Sequence, residues 1–305
     1  VQRDPERERP VDQAAPPPLD LRRRLEQDGL IPDDAQWTVL SGGRTNRVWR
    51  LDPRGDGGPL VCKIGSAGTD TPLFPNDPAA EAAALVHLAG TGLAPEPLGS
   101  LCEGDVACLV YRFQPGATWK TDVAGVAQSL ARVHRCKPPP RVRRVRAAPD
   151  EILKDAARVV AQLPPGLRER LAALCPRPRA AEHAADVFLH GDPVPGNILC
   201  PPGGGAPVLI DWQCPAIGDP VHDAAIFLSP AMQRLGRGRP LDAAERRQFL
   251  HRLGGEALAA RFALLEPLLT WRMAAHCAWR LARGEADYAA ALDAELEHLK
   301  QIADP

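Results

Sequence analysis

The chain has 305 residues, more than one hydrophobic core usually organises, so two lobes or two domains sharing a cleft are expected. Its 37 basic and 38 acidic residues nearly cancel, to a net charge of -1, which removes the electrostatic ground for nucleic acid or an anionic membrane as partner and favours a small neutral or cationic ligand. Eight scattered cysteines form no C-x-x-C pair, no stretch approaches the roughly 18 apolar residues of a membrane span, and the expectation is a soluble, cytoplasmic, reduced protein of open oligomeric state.

Residues 1–18 combine charge and proline with little to bury and read as a disordered tail. A short amphipathic helix follows from Leu19 to Gly29, with Pro32 just beyond. Trp37 to Leu40, Arg47 to Leu51 and Leu60 to Ile64 read as strands, the last two joined by the turn residues Asp52 to Pro59. Asp77 before Pro78 predicts the N-cap and first turn of an alanine-rich helix that runs to Leu88 and stops at Gly90. Strands at Pro97 to Leu101 and Ala107 to Phe113 lead into Gln114-Pro115-Gly116, a natural linker between lobes.

Beyond the linker the pattern becomes helical: Val123 to His134, Glu151 to Leu163, Leu167 to Leu174 and Ala180 to Ala185. The proline-rich Pro138 to Pro149, with Arg141, Arg143, Arg144 and Arg146, reads as a solvated loop, ahead of the alternative of a phosphate-contacting arm. Short strands are expected at Val187 to Leu189, Ile198 to Cys200 and Val208 to Ile210, then three or four helices between Asp219 and Ile302. The expected class is α+β, with an N-terminal antiparallel-sheet lobe at 19–113 and a mainly helical lobe at 114–305.

The polar residues that carry chemistry concentrate between His190 and Pro220. Asp192 lies in a tight Gly- and Pro-rich loop just after a strand, Asn197 follows five residues later, and Asp211 closes an apolar strand. Singly, each is an ordinary turn or capping residue. In this order they match what phosphoryl transfer asks of a protein: a carboxylate to take the hydroxyl proton, and a neutral oxygen and a carboxylate as hard ligands for Mg²⁺. Lys63, one of only five lysines, sits inside the apolar run Leu60-Val61-Cys62-Lys63-Ile64, where an ammonium is costly without a partner.

His190-Gly191-Asp192 through Asn197, Ile210-Asp211-Trp212 and Gly218-Asp219-Pro220 with Asp223 resemble the catalytic-loop, metal and following motifs of the aminoglycoside phosphotransferase and choline kinase superfamily. That superfamily is similar to the protein kinases in fold, and the resemblance extends from about Trp37 to near the C-terminus. It implies an ATP- and Mg²⁺-dependent enzyme with Asp192 as base, Asn197 and Asp211 as metal ligands, and His190 as a structural brace. Asp219 and Asp223 are assigned to helix capping and loop support. The loop from Ser41, Gly42 and Gly43 to Thr45 and Asn46 resembles the nucleotide loop of choline kinase-like and thiamine kinase-like members. Lys63 matches the strand lysine that binds the α- and β-phosphates, Glu81 its partner, and Leu109 to Phe113, with Tyr111 and Phe113, the hinge that receives adenine. Gln213 departs from the resemblance where many relatives carry Glu, as does His222-Asp223-Ala224-Ala225.

Two readings of the acceptor are open. Trp271 and Trp279 lie eight residues apart on an expected helix and would suit an aromatic cage for a cationic, choline- or thiamine-like metabolite, although core packing explains them equally well. Glu285, Asp287, Asp293, Glu295 and Glu297 would suit a polycationic aminoglycoside, or form a solvated helix face. A nucleotide-binding scaffold without catalysis is the remaining alternative, against which the presence of Asp192, Asn197 and Asp211 together argues.

Overall fold

The structure, a computed structural model, describes residues 17–40, 46–66, 70–103, 106–140, 142–181 and 184–303. The expected tail, apart from Pro17 and Pro18, and the loop residues Ser41, Gly42, Gly43 and Thr45 lie outside the described residues.

The N-terminal part contains helix α1 (Leu19–Gln27), strands β1 (Gln36–Val39), β2 (Arg47–Asp52) and β3 (Leu60–Ser66), helix α2 (Pro78–Leu88), and strands β4 (Pro97–Glu103) and β5 (Val106–Arg112). The strands form one antiparallel sheet in the order β1-β2-β3-β5-β4. Alternation along β3 divides its side chains. Cys62 and Ile64 enter a core with Leu21 and Leu25 of α1, Trp49 and Leu51 of β2, and Cys108 and Val110 of β5. Lys63 therefore belongs to the opposite face. Helix α2 starts where the sequence predicts: the Asp77 carboxylate accepts the Ala80 N–H at 2.9 Å, and Pro78 occupies the first turn. Its buried residues Glu81, Ala84, Leu85 and Leu88 follow helical spacing, so one carboxylate is carried inward on the apolar stripe.

The C-terminal part begins with β6 (Ala117–Thr118), α3 (Val123–Arg135), β7 (Arg143–Val145), α4 (Pro149–Val160), α5 (Pro165–Ala172) and β8 (Val187–Leu189). It continues with β9 (Ile198–Cys200), β10 (Val208–Leu209), β11 (Ala216–Gly218), α6 (Val221–Leu228), α7 (Pro230–Arg237), α8 (Ala243–Leu281) and α9 (Tyr288–Ala303). The strands form two small sheets, β10-β9-β6 and β7-β11-β8. Helix α8 opens on a capping box between Asp242 and Glu245 and is broken at Gly254 and Gly255, where Gly255 has a φ of 68°. Ala84, Leu85 and Leu88 of α2 share a core with Leu130 of α3, Phe227 of α6 and Phe249 of α8. The Phe227 ring stacks on Phe249 at 4.3 Å and meets Trp119 edge-on at 5.1 Å.

Two expectations are corrected. The described residues of the expected helix at Ala180 to Ala185 are irregular, as a short run behind Pro176 and Pro178 cannot repay helix nucleation. The segment Pro138 to Pro149 is not wholly a solvated loop, because β7 within it pairs in parallel with β11, Arg143 opposite Ala216. Neither strand carries the alternation that would reveal it, since each is only three residues long. Phe227→Ala is expected to lower unfolding free energy by about 3–5 kcal/mol, measured by urea denaturation, because its cavity would lie among rigid rings.

Candidate active site

The hairpin of β9 and β10 brings Asn197 and Asp211 together. Ile198 pairs with Leu209, and the Ile210 N–H donates to the Asn197 carbonyl at 2.9 Å, so the two polar residues flank the same end of one ladder. Asp211 has a φ of 61°, a left-handed conformation uncommon for a non-glycine residue and held here by the surrounding strands.

Asp192 is reached from β8 through His190 and Gly191. Gly191 has a φ of 83°, and a Cβ there would come within 2.0 Å of the Cys214 carbonyl, so the close approach of two loops demands glycine. Asp223, at the start of α6, holds this turn: its carboxylate accepts the N–H of His190 at 3.0 Å and of Gly191 at 2.9 Å and pairs with His134 Nε2 at 2.9 Å. Burial works against its charge, but the His134 hydrogen bond and charge, then His190 and the Gly191 N–H, prevail and hold Asp223 below the usual carboxylate range. His190 Nε2 donates to the Ile210 carbonyl at 3.0 Å while Nδ1 accepts the Asp192 N–H at 3.2 Å, which makes it a neutral imidazole. Burial also pushes its pKa down, and the ring packs on Trp212 at 4.4 Å. Asp219 accepts the Val221 N–H at 3.0 Å and an Arg261 N–H at 2.5 Å, tying the start of α6 to α8.

Asn197 donates through its amide to the Asp192 carbonyl at 2.9 Å and to the Asp192 carboxylate at 3.2 Å. Burial first, and the Asp211 charge second, push Asp192 up to about 7, against the Asn197 hydrogen bond and the charge of Arg280. With its amide so used, Asn197 has its carbonyl oxygen left for a cation. Among the described residues no cluster of three His, Cys, Asp or Glu is arranged to hold a metal ion. One carboxylate and one amide oxygen would suit Mg²⁺, a cation that keeps most of its sphere for water and phosphate oxygens.

From the sheet, Lys63 reaches Glu81 at 2.6 and 2.8 Å and Asp211 at 2.5 Å. Burial opposes its charge, but Asp211 and Glu81 outweigh burial and hold the ammonium above its ordinary range. Tyr111 shares this environment, and burial drives its phenol upward despite Lys63. Asn46 pairs with Asn76 and donates to Gln213 at 2.9 Å, and the Asp77 N–H donates to the Gln213 carbonyl, so the departure Gln213 joins the two halves. In the expected hinge, the N–H groups of Arg112 and Phe113 donate to the Glu96 and Pro59 carbonyls. Arg50 covers the Phe113 ring at 4.5 Å.

Most of the residues considered for a cationic acceptor are engaged elsewhere. Trp271 is in the core and donates to the Leu171 carbonyl at 2.9 Å, and Trp279 is buried in the same core with the Arg283 guanidinium 3.6 Å from its ring centre. Glu295 is buried beneath Ser229, which donates to it, Asp293 pairs with Arg170 and Glu285 with Arg280, while Asp287 and Glu297 are exposed. Sequence reasoning named Gln213 only as a departure and missed His134 and Arg280, and the roles of all three arise from contacts distant along the chain.

Over residues 36–265 the chain matches the phosphotransferase enzyme family. No curated protein matches it. Among solved structures it is similar to an ethanolamine kinase of Plasmodium vivax at 11% identity, with a TM-score of 0.64 and coverage of 95% of this chain and 91% of that one. It is also similar to a spectinomycin phosphotransferase in complex with ADP and spectinomycin (13% identity, TM-score 0.56, 95% and 98% coverage). A macrolide 2'-phosphotransferase shares 17% identity with a TM-score of 0.55, over 90% and 95% of the two chains. At these identities the likeness is one of fold.

Asp223→Ala should cost about 3 kcal/mol or more in urea denaturation, since it strands two buried amides at about 1–3 kcal/mol each. Because the Asp223 pKa is depressed on folding, its charge-linked stability is present above the ordinary carboxylate range and lost as pH falls through the folded value, so the difference between wild type and variant should narrow in acid.

Proposed function

We propose that this chain, which belongs to the phosphotransferase enzyme family, transfers the γ-phosphate of ATP, with Mg²⁺, to a hydroxyl of a small molecule. The observation that carries this reading is the convergence of Lys63, Asp211, Asn197 and Asp192 from two ends of the chain on one cleft. In this reading Asp192 accepts the proton of the attacking hydroxyl, and its pKa near 7 suits a general base at neutral pH. Asn197 fixes the carboxylate by its hydrogen bond and shares with Asp211 the holding of Mg²⁺. The metal supplies charge neutralisation at the β- and γ-phosphates. Lys63, freed from one of its two carboxylates when nucleotide binds, turns its charge to the phosphates while Glu81 keeps it in place.

The ADP in the spectinomycin phosphotransferase supports a nucleotide donor, and the ethanolamine and antibiotic kinases support an alcohol acceptor. A choline- or thiamine-like cation has weaker support, because Trp271 and Trp279 lie in the core, and so has a polycationic aminoglycoside, because the five acidic residues share no buried site. Asp192→Asn is expected to cut turnover at least about 100-fold, as loss of a general base does, with ATP affinity by calorimetry nearly unchanged. Unchanged turnover would refute the assignment. Lys63→Met should weaken ATP binding and, by leaving Glu81 buried without a cation, cost about 3–5 kcal/mol of stability in urea denaturation.

A further inference from the structure

Behind the catalytic loop lies a cavity of about 120 Å³ bordered by Gly191, Arg143, Arg146, Arg272, His222 and Asp155. Arg143 and Arg272 thus border it together with one carboxylate, while exposed Arg146 is tied to it through its backbone carbonyl. Asp155 is already engaged, since its Oδ1 accepts from Arg158 at 2.8 Å. Arg272 donates to His222 Nδ1 at 3.2 Å, and His222 Nε2 donates in turn to the Arg146 carbonyl at 3.2 Å. A ring that accepts from a guanidinium on one nitrogen and donates from the other is neutral, so it solvates Arg272 without balancing its charge. Arg143 is less satisfied still: its Nε is fully buried and has no hydrogen-bond partner. Burial lowers the pKa of both arginines, as expected for cations taken out of water with too little counter-charge.

Both guanidinium groups are carried by well-held backbone. Arg143 belongs to β7, fixed by pairing to β11, and Arg272 stands in α8 between the buried Trp271 and Met273. Arginine's planar fork of donors matches the paired oxygens of a carboxylate or phosphate better than it matches water. We propose that this cavity binds a small oxyanion, a carboxylate or a phosphate, which supplies the counter-charge that Arg143 and Arg272 lack. The anion has two possible sources, the charged end of the acceptor or a free ion. The cavity borders Gly191, the residue before Asp192, which sets the first source beside the loop that carries the proposed base. The site itself stands independently of the phosphotransfer reading; only its use by an acceptor rests on it.

Thermal unfolding of the full chain in sodium phosphate or sulfate, against sodium chloride at equal ionic strength, tests the site. Wild type should show a saturable rise in Tm with the oxyanions that chloride does not reproduce. Arg143→Gln should lose that rise while melting no lower than wild type in anion-free buffer, because it removes an unpaired buried cation. Arg272→Gln should also lose it, and if that variant fails to fold, Arg143→Gln decides. No saturable rise in wild type, or an equal rise in Arg143→Gln, would overturn the proposal. ADP release with glycerate and with glycerol, and with other hydroxy acids and phosphorylated alcohols beside their uncharged counterparts, separates the sources. A kcat/KM advantage of at least about tenfold for the anionic member, lost in Arg143→Gln, identifies the acceptor. Oxyanion stabilisation without that preference identifies a free ion, and stabilisation with no turnover of any acceptor upholds the site while counting against phosphotransfer.

Discussion

The ammonium of Lys63 is shared between two carboxylates, the buried Glu81 from α2 and the half-buried Asp211 from the end of the β9–β10 hairpin. Each charge there would be costly alone, and only together do they offset the loss of hydration. This constraint couples the sheet, the helix packed on it and the helical half of the chain. It requires β3 to put Lys63 on the face away from Cys62 and Ile64, and α2 to present Glu81 among alanines and leucines. It also depends on Asp77 to start α2 in the right phase, because a shift of one residue would turn Glu81 away from the sheet.

A second network holds the other side of the cleft. Asp223 grips the backbone before Asp192, His190 braces the same turn against Ile210, and Trp212 packs on His190. These groups keep the proposed base and the proposed metal ligands in fixed relation without occupying the space between them. Gln213 then joins this half to Asn46 and Asp77. The ion triad and this amide bridge are separate ties across one cleft.

Much of the candidate site was legible along the chain because its residues are close in sequence or stand out from their surroundings. His190 to Asn197 is one loop, Asp211 ends an apolar run, and a lysine among valine, cysteine and isoleucine is conspicuous in a chain of arginines. Asp77 with Pro78 likewise announces a helix by local chemistry alone. The places where the reading failed share a different physics. β7 and β11 are three-residue strands that exist only because each finds the other, and the alanines after Arg179 have helix propensity without length. Trp271 and the acidic residues near the C-terminus look the same in sequence whether they line a pocket or pack a core.

The sequence by itself determined the class of fold, the order of the polar residues between His190 and Asp223, and the need of a buried lysine for a partner, while Glu81 as that partner came from the family resemblance. Those features follow from periodicity, turn chemistry and the cost of an isolated charge, all of which act over a few residues. Only the tertiary structure decided which backbone groups of the loop before Asp192 the Asp223 carboxylate holds, that Gln213 bridges the two halves, and that Arg143 and Arg272 border one cavity. Each of these joins segments far apart in the chain, where what a side chain does depends on which distant element comes to lie against it.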